Sequence, residues 1–158
     1  MSIDGRELRN ALGRFATGVC VITALDENNR PLGMTANSFS SVSLDPPLVL
    51  WSLQNNSEVF ETFASPSAFA INVLASEQIG LSNQYAKKGD HLMAPEHFRL
   101  GVNGAPVLRG ALVTFECDLD ATHEGGDHLI IVGRVQNLVS QPTGDPLLFY
   151  SGGYRELH

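Results

Sequence analysis

Charge is scarce in this sequence of 158 residues: Asp, Glu, Lys and Arg make up 17% of it, against about a quarter in ordinary soluble domains. Positive charge is scarcer still. Ten Lys and Arg stand against 17 Asp and Glu, a formal net charge of −7, which excludes the basic footprint that nucleic acid or an anionic membrane surface requires. Cysteine is limited to Cys20 and Cys117. Two thiols so far apart, each in apolar surroundings, form neither a disulfide framework nor a CxxC metal site and suit small core side chains. No apolar run approaches the roughly 18–20 residues that span a bilayer. The opening MSIDGRELRN also lacks the charged and apolar regions of a secretion signal. A soluble, cytoplasmic protein without nucleic-acid or membrane partners is expected. Several motifs are missing as well: no G-x-G-x-x-G follows a strand, and there is no Walker loop, G-x-S-x-G elbow or H-E-x-x-H. Their absence argues against a Rossmann dehydrogenase, the common acyl-transfer enzymes and the zinc proteases. A phosphate-bearing ligand would have to be held by turn amides and hydroxyls instead.

What is present is a chain of ordinary domain size in which 43% of residues are apolar, enough for one core and a single domain over residues 1–158. Pro and Gly are scattered as turn punctuation, with no repeat or linker. Asp4 and Glu7 have capping-box spacing, and Leu8, Ala11, Leu12 and Phe15 follow on one face of a short amphipathic helix, read as a lid. Short β-like runs are expected at 19–24, 32–36, 48–53 and 68–74, the first two joined as a hairpin. From Val113 the alternation places Phe115, Cys117, Leu119 and Ala121 on one face. Thr114, Glu116, Asp118 and Asp120 fall on the other, expected to be wet. The turn at 123–127 then returns the chain as an antiparallel partner over 129–139. Short helices are predicted to open on Ser57 and Ser76. About seven strands with only short helices between them argue for an antiparallel barrel or sandwich, not a βαβ sheet.

The segment at 33–47, GMTANSFSSVSLDPP, sets small side chains, hydroxyls and an amide between two strands and then forces a turn. Small residues let a flat ligand approach the backbone, whose N–H and C=O groups can read ring acceptors and donors. A plain Ser-rich loop has the same composition. His123-Glu124 and Asp127-His128 put imidazoles and carboxylates close together, with His91 and His97 near in sequence. Their spacing across a Gly-Gly hairpin matches no known ligand set, and no metal site is expected.

The stretches FATGV at 15–19, GMTANSFSSVSLDPPLV at 33–49, FAINVL at 69–74, GAPVL at 104–108, Gly126-Asp127-His128 and PLLFY at 146–150 occur in the order seen in the short-chain flavin reductases. Nearly the whole chain resembles that family. The resemblance implies a mainly β, antiparallel split β-barrel of the Greek-key, FMN-binding type with a few short helices. It also implies a homodimer with flavin sites near the subunit seam, and reduction of FMN or FAD by NADH or NADPH, often to supply a partner flavin-dependent monooxygenase. An electron carrier that retains its FMN would use the same surface.

By the same resemblance, Thr35, Ala36, Asn37 and Ser38 line the flavin ring, with Ser41 in the same array. Ser52 and Leu53 meet the ring or ribityl chain. Ser57 either helps hold the phosphate or is a plain helix cap. Lys87 and Lys88, the densest positive charge in the chain, are candidates for the phosphate or adenylate end, or a solvated pair. His128 is placed beside the nicotinamide as the catalytic candidate, with Asp127 orienting it or finishing the turn. Tyr154 covers the cofactor, lies at the dimer seam, or packs the C-terminus.

Overall fold

The structure, a computed structural model, describes residues 2–158. Its elements in chain order are α1 (Gly5–Leu12), β1 (Thr17–Gly18), β2 (Cys20–Leu25), β3 (Pro31–Ala36), β4 (Ser40–Leu44), β5 (Pro47–Gln54), α2 (Phe60–Ala64), β6 (Phe69–Val73), α3 (Ile79–Ala86), β7 (Phe98–Leu100), β8 (Pro106–Leu108), β9 (Val113–Gly125), β10 (His128–Ser140), β11 (Leu148–Tyr150) and β12 (Gly153–Arg155). Single 3-10 turns precede α3 and β7.

Seven strands form one antiparallel sheet in the order β3-β2-β6-β9-β10-β5-β4. In a flat sheet β2 and β5, four places apart, would be separated by about 19 Å at the usual strand spacing. Instead Ile22 and Ala24 of β2, Trp51 and Leu53 of β5, Phe69 and Ile71 of β6, Cys117 of β9 and Ile131 of β10 meet in one buried cluster. The sheet is therefore rolled around its core. Its end strands β3 and β4 are not paired with each other, so the roll is split along one side. Gly133 sits at an irregularity of the β9–β10 ladder, where a Cβ would meet the Phe69 ring at 2.6 Å. Only glycine lets the strand pass that close to the core.

The outer face of β2 is buried too. Val19 and Val21 pack with Leu74, Tyr85 of α3, Met93, Leu108 and Leu147 in a second cluster. This double burial explains why β2 is apolar at nearly every position rather than alternating.

The expected hairpin of β2 and β3 forms in antiparallel register, as does the β9–β10 pair. Three expectations need correction. The outer face of β9 is not wet along its whole length: Thr114 and Glu116 are buried, because the segment from β7 to β8 folds over them. Glu116 accepts hydrogen bonds from the Asn103 N–H at 3.1 Å and from Asn137 Nδ2 at 2.7 Å. The predicted Ser57 helix starts later, at Phe60, with the Ser57 hydroxyl accepting the Val59 N–H ahead of it. On α1, Asp4 caps the Arg6 N–H, but the apolar face covers nothing, with Leu8, Leu12 and Phe15 all exposed.

A polar knot crosses the buried layer between β2, β6, β8 and β9. Asn72 Nδ2 donates to the Val21 carbonyl at 2.9 Å and to Thr23 Oγ1 at 3.0 Å. Its Oδ1 accepts from the Leu108 N–H at 3.0 Å and the Thr114 hydroxyl at 2.9 Å. Thr23 in turn donates to the Pro106 carbonyl. All four hydrogen-bonding positions of the amide are filled.

Both cysteines are free and buried, as core residues should be. Burial pushes each thiol up to about 12. A thiol held protonated and sheltered reacts slowly with disulfide reagents. Ellman's reagent at pH 8 is therefore expected to label neither cysteine in the native protein and both in denaturant; fast native labelling would contradict the burial. No helix among the described residues is long and apolar enough to cross a membrane.

Candidate functional site

β3 is an edge strand and ends at Ala36, after which the chain runs through Asn37–Phe39 before re-entering the sheet as β4. This stretch stays close to β5 through one side chain. Ser38 Oγ accepts the Ser52 N–H at 2.9 Å and lies 3.3 Å from the Ser52 carbonyl, so the hydroxyl substitutes for a neighbouring strand. Between the two segments lies a pocket of about 290 Å³, lined by Met34, Thr35, Ala36, Asn37, Ser38, Ser52, Gln54, Ser57 and His128.

Seven sequence-predicted residues from four segments thus share one pocket. Their side-chain polar groups are largely committed elsewhere. Thr35 donates to the Ser82 carbonyl of α3 at 2.7 Å, and Asn37 Nδ2 donates to Thr17 at 3.3 Å. By contrast, among the described residues no hydrogen bond is made by the Asn37 or Ser38 main-chain N–H. The wall therefore offers small side chains and free backbone donors, suited to the acceptor edge of a flat heteroaromatic ring.

A second cavity, of about 400 Å³, continues from the first along Met34, Thr35, Gln54 and Ser57 and adds Asn56, Glu58, Tyr85, Ala86, Lys88 and His91. The two form a groove whose size falls among small-molecule sites of about 300–1,000 Å³. One end carries His128 and the other Lys88, with Ser57 lining both cavities between them. Burial raises the Tyr85 hydroxyl above its ordinary range; it bonds His97 Nδ1 at 2.8 Å and accepts the Ala94 N–H.

His128 begins β10, opposite Gln54 of β5 and Gly125 of β9. Asn55 fixes this corner, donating its N–H to the Asp127 carbonyl at 3.0 Å and its side-chain amide to the Gly126 carbonyl at 3.2 Å. His128 Nδ1 lies 2.7 Å from Asp127 Oδ1. A carboxylate there accepts, which assigns the proton to Nδ1 and leaves Nε2 for another partner. The hydrogen bond from His128 is the main reason the Asp127 carboxyl titrates below its ordinary range. A depressed carboxyl favours the folded state above the ordinary carboxylate range, and that contribution disappears as pH falls through the folded value. Carboxyl NMR is expected to find Asp127 titrating low, and His128→Ala should return it to the ordinary range. No change on substitution would show that the pair does not form.

The remaining predicted residues lie off the pocket wall. Leu53 points into the core, alternating with Ser52 and Gln54. Ser41 is exposed on β4, and Lys87 is exposed at the end of α3. Asp127 does not line the pocket and touches it only through its contact with His128. The Tyr154 hydroxyl binds Ser82 at 2.6 Å and Asn83 at 3.1 Å, tying the C-terminal strand to α3. Sequence reasoning missed Met34, Gln54, Asn56, Glu58, Tyr85 and His91. The two-residue alternation of β5 would have paired Gln54 with Ser52, and Met34, Asn56 and Glu58 flank the predicted Thr35 and Ser57; Tyr85 and His91 arrive from segments whose proximity only the fold creates.

Residues 12–158 match the family model described as a flavin reductase like domain. The chain belongs to the flavin reductase family. It is 44% identical over 151 residues to an NADH-dependent FMN reductase of Agrobacterium fabrum, covering 96% of this chain and 85% of that protein. It is 37% identical over 153 residues to the reductase subunit of a flavin-dependent monooxygenase from Rhodococcus jostii, covering 97% and 78%. An NADH:FAD oxidoreductase of Streptomyces globisporus, solved with NAD and FAD fragments, superposes with a TM-score of 0.91 at 34% identity, covering 100% of this chain and 97% of that one. Some relatives are longer, and the chain spans 42% of one and 54% of another.

Proposed function

We propose that this flavin reductase transfers hydride from C4 of NADH, or of NADPH, to N5 of FMN or FAD and releases the reduced flavin to a partner monooxygenase. The observation that carries this reading is the groove itself. It has a floor of small residues with free main-chain donors, an imidazole at one end, a lysine at the other, and Ser57 lining it between them. The backbone at Asn37 and Ser38 receives the ring acceptors, while Ser57 and Lys88 receive the phosphate. His128, held by Asp127 and by the Asn55 corner, flanks the nicotinamide. The reacting rings supply the redox chemistry, so the protein's work is to stack them and keep water out.

The exposed apolar side chains Leu12, Phe15 and Leu44 support a homodimer. The two free thiols accord with a cytoplasmic setting. Steady-state assays separate this reading from an electron carrier. NADH oxidation that saturates with added FMN, by protein purified largely colourless, is expected. Yellow protein that keeps its flavin and oxidises NADH slowly would favour the carrier.

A further inference from the structure

The phosphate end of the groove carries a carboxylate as well as a lysine. Glu58 and Lys88 both line it, and a bare carboxylate beside a bound phosphate would repel it. Glu58 is not bare. Its Oε1 lies 2.9 Å from His91 Nε2 and accepts the Gly89 N–H. The other ring nitrogen of His91 lies 2.9 Å from the Gly33 carbonyl. The imidazole is largely buried, its side chain 11% exposed against 43% for Glu58. The His91–Glu58 pair also walls off the groove from a larger charged cleft lined by Asp26, Glu27, Arg30 and Glu61. Arg30 does not offset Glu58, since it is held by Asp26 at 2.8 Å.

We infer that His91 is a specificity-determining residue: by engaging Glu58 it masks the carboxylate at the groove's phosphate end and lets Lys88 set the local charge for a phosphate-bearing flavin. This rests on the flavin reading above. The ring is not needed to hold its own loop. Main-chain bonds from the Gly33 N–H to the His91 carbonyl at 2.8 Å and from the Met93 N–H to the Pro31 carbonyl at 2.9 Å already fasten that loop to β3. Removing the imidazole should therefore unmask Glu58 more than it displaces the wall.

The test compares kcat/KM for FMN with that for riboflavin, which has the same ring and no phosphate. His91→Ala is expected to lower the FMN-to-riboflavin ratio by about tenfold, and adding Glu58→Gln should bring it back to within about threefold of wild type. Charge removal cannot repair a merely mechanical defect, so rescue separates masking from scaffolding. An unchanged ratio in His91→Ala, or a double variant no better than the single, would overturn the proposal. If His91→Ala does not fold, Glu58→Gln alone serves: a ratio at or above wild type is expected, and a tenfold fall would overturn the inference. Wild-type protein that reduces neither flavin would instead defeat the underlying functional reading.

Discussion

Asn72→Leu is expected to destabilise the protein by about 3–5 kcal/mol, a large share of the roughly 5–15 kcal/mol that holds a domain together. Leucine keeps the branching of the asparagine side chain, is bulkier, and makes no hydrogen bond. Its introduction strands the Leu108 N–H and the Thr114 hydroxyl and takes a donor from the Val21 carbonyl in a region closed to water, while the Thr23 hydroxyl keeps its bond to the Pro106 carbonyl. Each orphaned buried group costs about 1–3 kcal/mol, and some of them find new partners by relaxation. Urea unfolding followed by tryptophan fluorescence is suited to the measurement, because Trp51 is the sole tryptophan and lies in the core. A loss below about 1 kcal/mol would mean that the knot contributes little and that β2, β6, β8 and β9 are held by apolar packing alone.

That knot also marks a limit of what the sequence displayed. Strand positions were legible where one face is dry and the other wet, and the hairpins were legible from their turns. Burial on both faces of a strand leaves no such alternation. Asn72 and Glu116 look like surface residues in a list, and become interior only because the segment from β7 to β8 crosses them. The site shows the same division. Thr35–Ser38, Ser52, Ser57 and His128 were named from the motifs of a resembling family and meet in one groove. Glu58 and His91 belong to no local pattern, since their 2.9 Å contact joins residues 33 apart in sequence and exists only after the sheet has rolled. Periodicity shows that α1 is amphipathic, but not that its apolar side finds no partner within this chain.

His128→Ala is expected to lower kcat/KM for the nicotinamide by about 10- to 100-fold, the cost of losing one contact that keeps the reacting rings in a near-attack arrangement. Flavin affinity should change little, because the free donors at Asn37 and Ser38 and the Lys88 end remain in place. His128→Gln should recover part of the loss if the side chain mainly positions a ring, since no proton transfer is required of it. Wild-type kinetics in His128→Ala would assign the imidazole to finishing the 125–128 turn with Asp127. A loss of flavin binding with nicotinamide kinetics intact would place it at the wrong ligand.

The groove between β3 and β5 is proposed to bring a flavin and a reduced nicotinamide together for hydride transfer. Anaerobic mixing of the purified protein with NADH and FMN is the decisive assay. Rapid bleaching of the flavin's visible band is expected from the wild type, slowed severely when Ala36, on the groove floor, is replaced by tryptophan. No bleaching with NADH or NADPH, or equal bleaching by the blocked variant, would contradict it.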